Sequence, residues 1–182
     1  METGSAVKYG QCWVFSAVTT TVCRALGLPC RSVTNYVSAH DTNQSLTIDR
    51  FFDKTGEELD ARDNPEIGSD SIWNFHVWND VWMARPDLPS GFGGWQAIDA
   101  TPQEASDGTL LCTFQTLLTV FLSSLDRYQC GPAPVEAIRR GEVGLGYDAP
   151  FVFSEVNADV CHFMEDSKSS WGFSRIKTNE YQ

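Results

Sequence analysis

The stretch Tyr9-Gly10-Gln11-Cys12-Trp13-Val14-Phe15 sets a cysteine between a glycine turn and an apolar run. From there Val14, Ala17, Val18, Val22, Ala25 and Leu26 recur at intervals of three and four residues, and Gly27 with Pro29 ends the pattern. That spacing predicts a helix opened by Cys12 and closed near Leu26. A thiol at a helix start faces unsatisfied N–H groups and the positive end of the aligned peptide dipoles, which favour a thiolate. A buried structural cysteine is the competing reading, and only a base elsewhere in the chain decides between them.

The 182 residues, 42% hydrophobic and 12% aromatic, are enough to bury a core of one domain. With 24 acids against 13 bases the net charge is −11, which argues against a nucleic acid or an anionic membrane as partner. The same charge suits a protein that collects cations or basic substrates. Six cysteines without CxxC pairs, and no signal-peptide pattern at the start, predict reduced thiols in a cytoplasmic setting.

Further along, Cys30 to Ala39 reads as a strand, His40 to Ser45 as a polar loop, Leu46 to Phe52 as a second strand and Asp53 to Ser69 as a surface loop. From Ser71 to Met83, Trp73, Phe75, Val77, Val81 and Met83 alternate with Asn74, His76 and Asp80, the period of a strand. Pro86, Pro89, Gly91, Gly93 and Gly94 break it before Trp95 to Ala100 resumes as a partner strand carrying Asp99. If His76 faces Asp99, antiparallel partners sum to 175 and Met83 meets Phe92 around a loop of residues 84 to 91. Cys12 as nucleophile, His76 as general base and Asp99 as the group orienting the imidazole then make the arrangement that acyl transfer needs.

The runs YGQCWVF, SAHD, WNFHVWND, RPDLPSGFGGWQAIDATPQE, CGPAPV and DAPFVFSEVNAD resemble the catalytic core of transglutaminases, calcium-dependent enzymes related in fold to papain-like cysteine proteases. The resemblance covers Tyr9 to Asp159 and implies an α+β core in which the helix bearing the cysteine packs on an antiparallel β-sheet. It gives Cys12, His76 and Asp99 the roles of the family's triad. It also implies the activity of a protein-glutamine γ-glutamyltransferase, an acyltransferase that joins peptidyl glutamine to lysine amines through a cysteine thioester. The partners would be proteins bearing Gln and Lys, and primary amines.

Trp73 matches one of the two tryptophans that wall the family's substrate tunnel, where an indole excludes the water that would hydrolyse the thioester. The other wall lies upstream of the cysteine motif in the family. Asp41, Asn43, Ser45 and Thr47 alternate oxygen-bearing side chains as a loop for a hard cation does, but Leu46 and Phe52 stand where an EF-hand needs Gly and Glu. Asx and Ser/Thr turns account for the pattern nearly as well. The resemblance makes this loop, with Asp70, one Ca²⁺ site, and makes Asn157 and Asp159 two ligands of another whose glutamates would lie beyond Gln182. Residues 1–182 are therefore expected to be part of a transglutaminase core, with little turnover alone. Leu110 to Arg127 stands where the family has only a short link, and this apolar run is shorter than a membrane span of about 20 residues.

Two other classes fit part of the pattern. A papain-like thiol peptidase shares the GQCWVFS look, but its His lies roughly 130–150 residues past the Cys, against positions 12 and 76 here. A catalytically inert scaffold would lack the nucleophile, and Cys12 is present. Family members without signal peptides also act outside cells, so extracellular and membrane-associated settings stay open.

Overall fold

The computed structural model describes residues 9–104 and 128–179. The apolar run 110–127 lies outside them. Helix α1 (Cys12–Ala25) is followed by strands β1 (Cys30–His40), β2 (Thr47–Phe52), β3 (Ser71–Met83), β4 (Gly94–Ile98) and β5 (Ala133–Pro134). Then come α2 (Val135–Arg140), a single 3₁₀ turn, α3 (Ala149–Asn157), β6 (Asp159–Glu165) and β7 (Phe173–Asn179). The fold is α+β. One sheet has the order β1-β3-β4-β5, the other β2-β6-β7. The chain forms two compact units: residues 1–34 with 76–149, and 35–75 with 150–182.

In the first unit α1 lies on its sheet with an unexpected face. Cys12, Ser16, Thr19 and Cys23 are buried, whereas Val14, Val18, Val22 and Leu26 are exposed. An amphipathic helix normally turns its apolar row inward. Here the hydroxyl row goes inward because the sheet offers polar partners. Ser16 Oγ donates to the Trp78 carbonyl oxygen at 3.0 Å, and Asn79 Nδ2 donates to the Ser16 carbonyl oxygen at 3.1 Å and to Thr20 Oγ1 at 2.7 Å. Below them Cys23, Cys30, Val81 and Ile98 form an apolar cluster closed by Leu28 and Met83.

β3 and β4 are antiparallel, with Asn79 opposite Ile98 and Met83 opposite Gly94. Partners therefore sum to 177, not 175, and the connection is residues 84–93 instead of 84–91. A slip of two preserves which face each side chain occupies. The one-sided alternation expected of β3 also fails: His76 through Val81 are all buried. Asp80, its carboxyl pushed up by burial and partly restored by Arg31, is bonded to that guanidinium at 2.9 Å, and Arg31 also covers the Trp95 ring. Arg85 anchors the β3–β4 connection, donating to Gln96 Oε1 at 2.7 Å and to the Pro132 carbonyl oxygen at 2.8 Å.

The second unit is built on β2-β6-β7, where β2 and β6 run parallel and β6 and β7 antiparallel. Phe51, Ile67, Cys161 and Phe163 form one cluster, and Ala39, Ile48, Ala158 and Val160 another. Of this sheet the sequence reading supplies only β2, as Leu46 to Phe52; β6, β7 and α3 have no counterpart in it, nor does α2 of the first unit.

Candidate active site and polar loop

Cys12, His76 and Asp99 all belong to the first unit. Cys12 is the first residue of α1, with Gln11 as an extended N-cap that makes no side-chain cap, and no acid stands in the first turn. The dipole of the helix start is thus left unneutralised at the thiol. Ser16, one turn on, ties this end of the helix to the main chain two residues past His76.

His76 is fully buried and Asp99 is 7% exposed, with His76 Nε2 at 2.6 Å from Asp99 Oδ2. The pair comes together although the register differs from the expected one, because Asp99 lies just past the end of the β4 ladder. Asp99 N–H donates to the Cys130 carbonyl oxygen at 3.1 Å. Asp148 Oδ2 accepts from the N–H groups of Cys130 (2.9 Å) and Gly131 (3.0 Å). Gly131 has φ +80, and a Cβ there would lie 2.3 Å from the Ala97 carbonyl oxygen, so only glycine lets this segment run so close to β4.

Sequence reasoning missed Gln103. Its Nε2 is 2.7 Å from Asp99 Oδ2 and 3.1 Å from His76 Nε2, while Thr101 N–H donates to Asp99 Oδ1 at 2.8 Å. The signal was present as polar residues at 99, 101 and 103, directly after a strand.

The other proposed residues lie in the second unit. Trp73 stacks on His40 with centroids 4.6 Å apart, and its Nε1 donates to Ser71 Oγ at 3.1 Å. Asp41, 1% exposed, accepts N–H groups from Asn43, Ser45 and Leu46. Asp70 Oδ1 accepts from Thr42 N and Oγ1, and its Oδ2 from Asp49 N. Ser45 Oγ and Thr47 Oγ1 are 2.9 Å apart, and Asn43 Oδ1 accepts Ser45 N–H. Asp49, passed over as a strand residue, joins this group: Thr47 Oγ1 donates to it at 2.7 Å. Burial first, then the Asp70 and Asp41 carboxylates, push its carboxyl up against the lowering bond from Thr47. An all-oxygen set in which the Asp70 and Asp41 carboxylates bear on Asp49 has the donor chemistry of a hard-cation site. Asn157 ends α3 and Asp159 opens β6 opposite Thr47 of β2, so the second proposed ligand pair adjoins the first group.

Residues 2–100 match the family described as the Transglutaminase-like superfamily. The chain belongs to that superfamily. It is 55% identical over 179 residues to the hemocyte protein-glutamine gamma-glutamyltransferase of Tachypleus tridentatus, covering 98% of this chain and 20% of that one. It is 50% identical over 171 residues to human protein-glutamine gamma-glutamyltransferase K, covering 94% of this chain and 18% of that one. The crystal structure of red sea bream transglutaminase superposes with a TM-score of 0.68 at 44% identity, over 97% of this chain and 23% of that one. The chain thus spans about a fifth of the length of these curated relatives. Among the described residues no helix is long and apolar enough to cross a membrane.

Proposed function

We propose that this core performs protein-glutamine γ-glutamyl transfer, an acyltransferase reaction, and the observation that carries the reading is the buried His76–Asp99 pair in the same unit as a helix-opening cysteine. The Cys12 thiolate attacks the carboxamide carbon of a peptidyl glutamine while His76 holds the thiol proton. His76 then gives that proton to the departing nitrogen, and ammonia leaves a γ-glutamyl thioester. A lysine amine or other primary amine attacks the thioester carbon, loses a proton to His76 and releases Cys12, giving an isopeptide cross-link. Asp99 keeps the imidazole oriented throughout and does not react.

Trp73 takes the role of one of the family's two tunnel tryptophans, an indole surface that excludes water. Asp41, Asn43, Ser45, Thr47, Asp70 and Asp49 would hold one Ca²⁺, and Asn157 with Asp159 would contribute to a second. Bound there, the ion would supply charge neutralisation and order to the loop before β2. Residues 110–127 are an insertion in the catalytic core, and cysteine usage favours a cytoplasmic protein.

The test is incorporation of a labelled primary amine into a glutamine-bearing protein by the full protein. Cys12→Ala and His76→Ala are expected to abolish it, and Asp99→Ala to leave a weak remainder. Unchanged incorporation by Cys12→Ala would end the reading.

A further inference from the structure

Asp99 must present one oxygen to His76, and a carboxylate on a flexible side chain rotates unless both of its oxygens are held. One side is held by the chain itself: Thr101 N–H donates to Oδ1 at 2.8 Å, a turn of the Asx kind. The other oxygen receives two groups, His76 Nε2 at 2.6 Å and Gln103 Nε2 at 2.7 Å. The segment carrying Gln103 is itself fixed. Asp99 N–H is bonded to Cys130 O, Gln129 N–H donates to Glu104 O at 2.9 Å, and Pro102 locks the backbone immediately before the glutamine.

We propose that Gln103 is a positioning residue for the triad, holding Asp99 Oδ2 in the direction that orients His76. This assignment rests on the transfer reading above. The carboxylate settles which end of the amide faces it, since the amide oxygen in that place would repel Oδ2. One amide hydrogen then goes to Asp99. With Nε2–H given to the carboxylate, the 3.1 Å approach of Gln103 Nε2 to His76 Nε2 is a contact between two donors that share Asp99 Oδ2, and not a hydrogen bond of its own. Gln103 Oε1 is buried without a hydrogen-bond partner among the described residues. An apolar side chain of the same size would avoid that cost, so the amide's donor end is what the site uses. Hydrogen bonds to a charged group in a water-poor setting are the strong ones.

Gln103→Leu and Gln103→Glu in the full protein test this, with kcat and KM for a glutamine substrate measured from pH 6 to pH 8.5 beside Cys12→Ala and His76→Ala. Gln103→Leu is expected to lower kcat roughly tenfold to a hundredfold with KM unchanged, at every pH. A carboxyl placed at 103 donates to Asp99 only while protonated, and the neighbouring carboxylate holds its proton to higher pH. Gln103→Glu is therefore expected to approach the parent kcat at pH 6 and to fall toward the leucine variant by pH 8.5. A structural role alone produces no such pH-dependent rescue. Parent kcat in Gln103→Leu, or a pH-independent ratio to the parent in Gln103→Glu, overturns the assignment. Should the leucine variant not fold, the glutamate profile decides by itself. Activity surviving Cys12→Ala or His76→Ala removes the transfer reading and this assignment with it. Loss in those two variants with a fully active leucine variant removes only the role of Gln103.

Discussion

Ser16 Oγ donates to the carbonyl oxygen of Trp78 at 3.0 Å, across 62 positions of sequence. Ser16 stands one helical turn after Cys12, and Trp78 two residues after His76, so this bond sets the end of the helix that carries the thiol against the strand that carries the imidazole. Ser16→Ala leaves a buried carbonyl oxygen short of a donor and is expected to lower stability by about 1–2 kcal/mol. Urea unfolding measures it, and a change within a few tenths would show that the bond contributes nothing net.

The thiols should differ sharply in reactivity. Burial and the adjacent Cys30 push the Cys23 thiol up to about 12. At pH 8 roughly one molecule in 10⁴ then carries a Cys23 thiolate, and the thiolate is the nucleophile. Iodoacetamide at pH 8 is expected to label Cys12 well before Cys23, read by peptide mass spectrometry. Equal labelling rates in the folded chain would contradict the burial of Cys23.

Asp49 sits among carboxylates that raise it, so its ionised form costs stability when no cation is present. The sign follows from the direction: with the folded value above the unfolded one, stability falls as pH rises through the window just above 3.8, and the loss persists at neutral pH. Asp49→Asn in EDTA should raise the melting temperature by about 2–4 °C per kcal/mol recovered. The same variant should show a smaller calcium-induced rise. Calorimetry with no calcium heat, or the same heat in Asp41→Ala combined with Asp70→Ala, would remove the site.

Gly131→Ala introduces a Cβ 2.3 Å from the Ala97 carbonyl oxygen at φ +80. The main chain must shift on one side or the other, and the neighbouring Cys130 carbonyl is the acceptor for Asp99 N–H. A loss of about 3 kcal/mol or more is expected from such a backbone clash. Amine incorporation should fall further than for a surface variant of equal stability loss. A variant as stable as the parent would show that the segment has room to move.

Much of this was readable in the sequence, and the misses have definite causes. Gly27 and Pro29 stop α1 where expected, because Gly27 takes a left-handed φ of +80 just past the helix and Pro29 cannot continue it. Periodicity shows that α1 has an apolar row but not which way it faces. Residues 12, 16, 19 and 23 form an equally regular row of Cys, Ser and Thr, and the structure buries it because Trp78 and Asn79 supply polar partners. The β3–β4 register differs by two because the expected one places Asp99 directly opposite His76, whereas Asp99 reaches His76 from beyond the last pair of the ladder, Asn79 with Ile98. Gln103 escaped because an amide does not titrate. Asp49 escaped because a strand reading ended the Asp41, Asn43, Ser45, Thr47 alternation one step early.

The bonds that hold Asp99 also fix an order of assembly. His76 is 23 positions before Asp99, Cys130 lies 31 positions after it, and Asp148, which holds Cys130, lies 18 further on. Each contact closes a long loop, and such closures form late in folding. On a ribosome the thiol emerges first, its base much later, and the cradle of the carboxylate last. The cysteine therefore stays an ordinary side chain until its base at 76 has followed it, and the cradle that steadies the base's partner is complete only when Asp148 has been made.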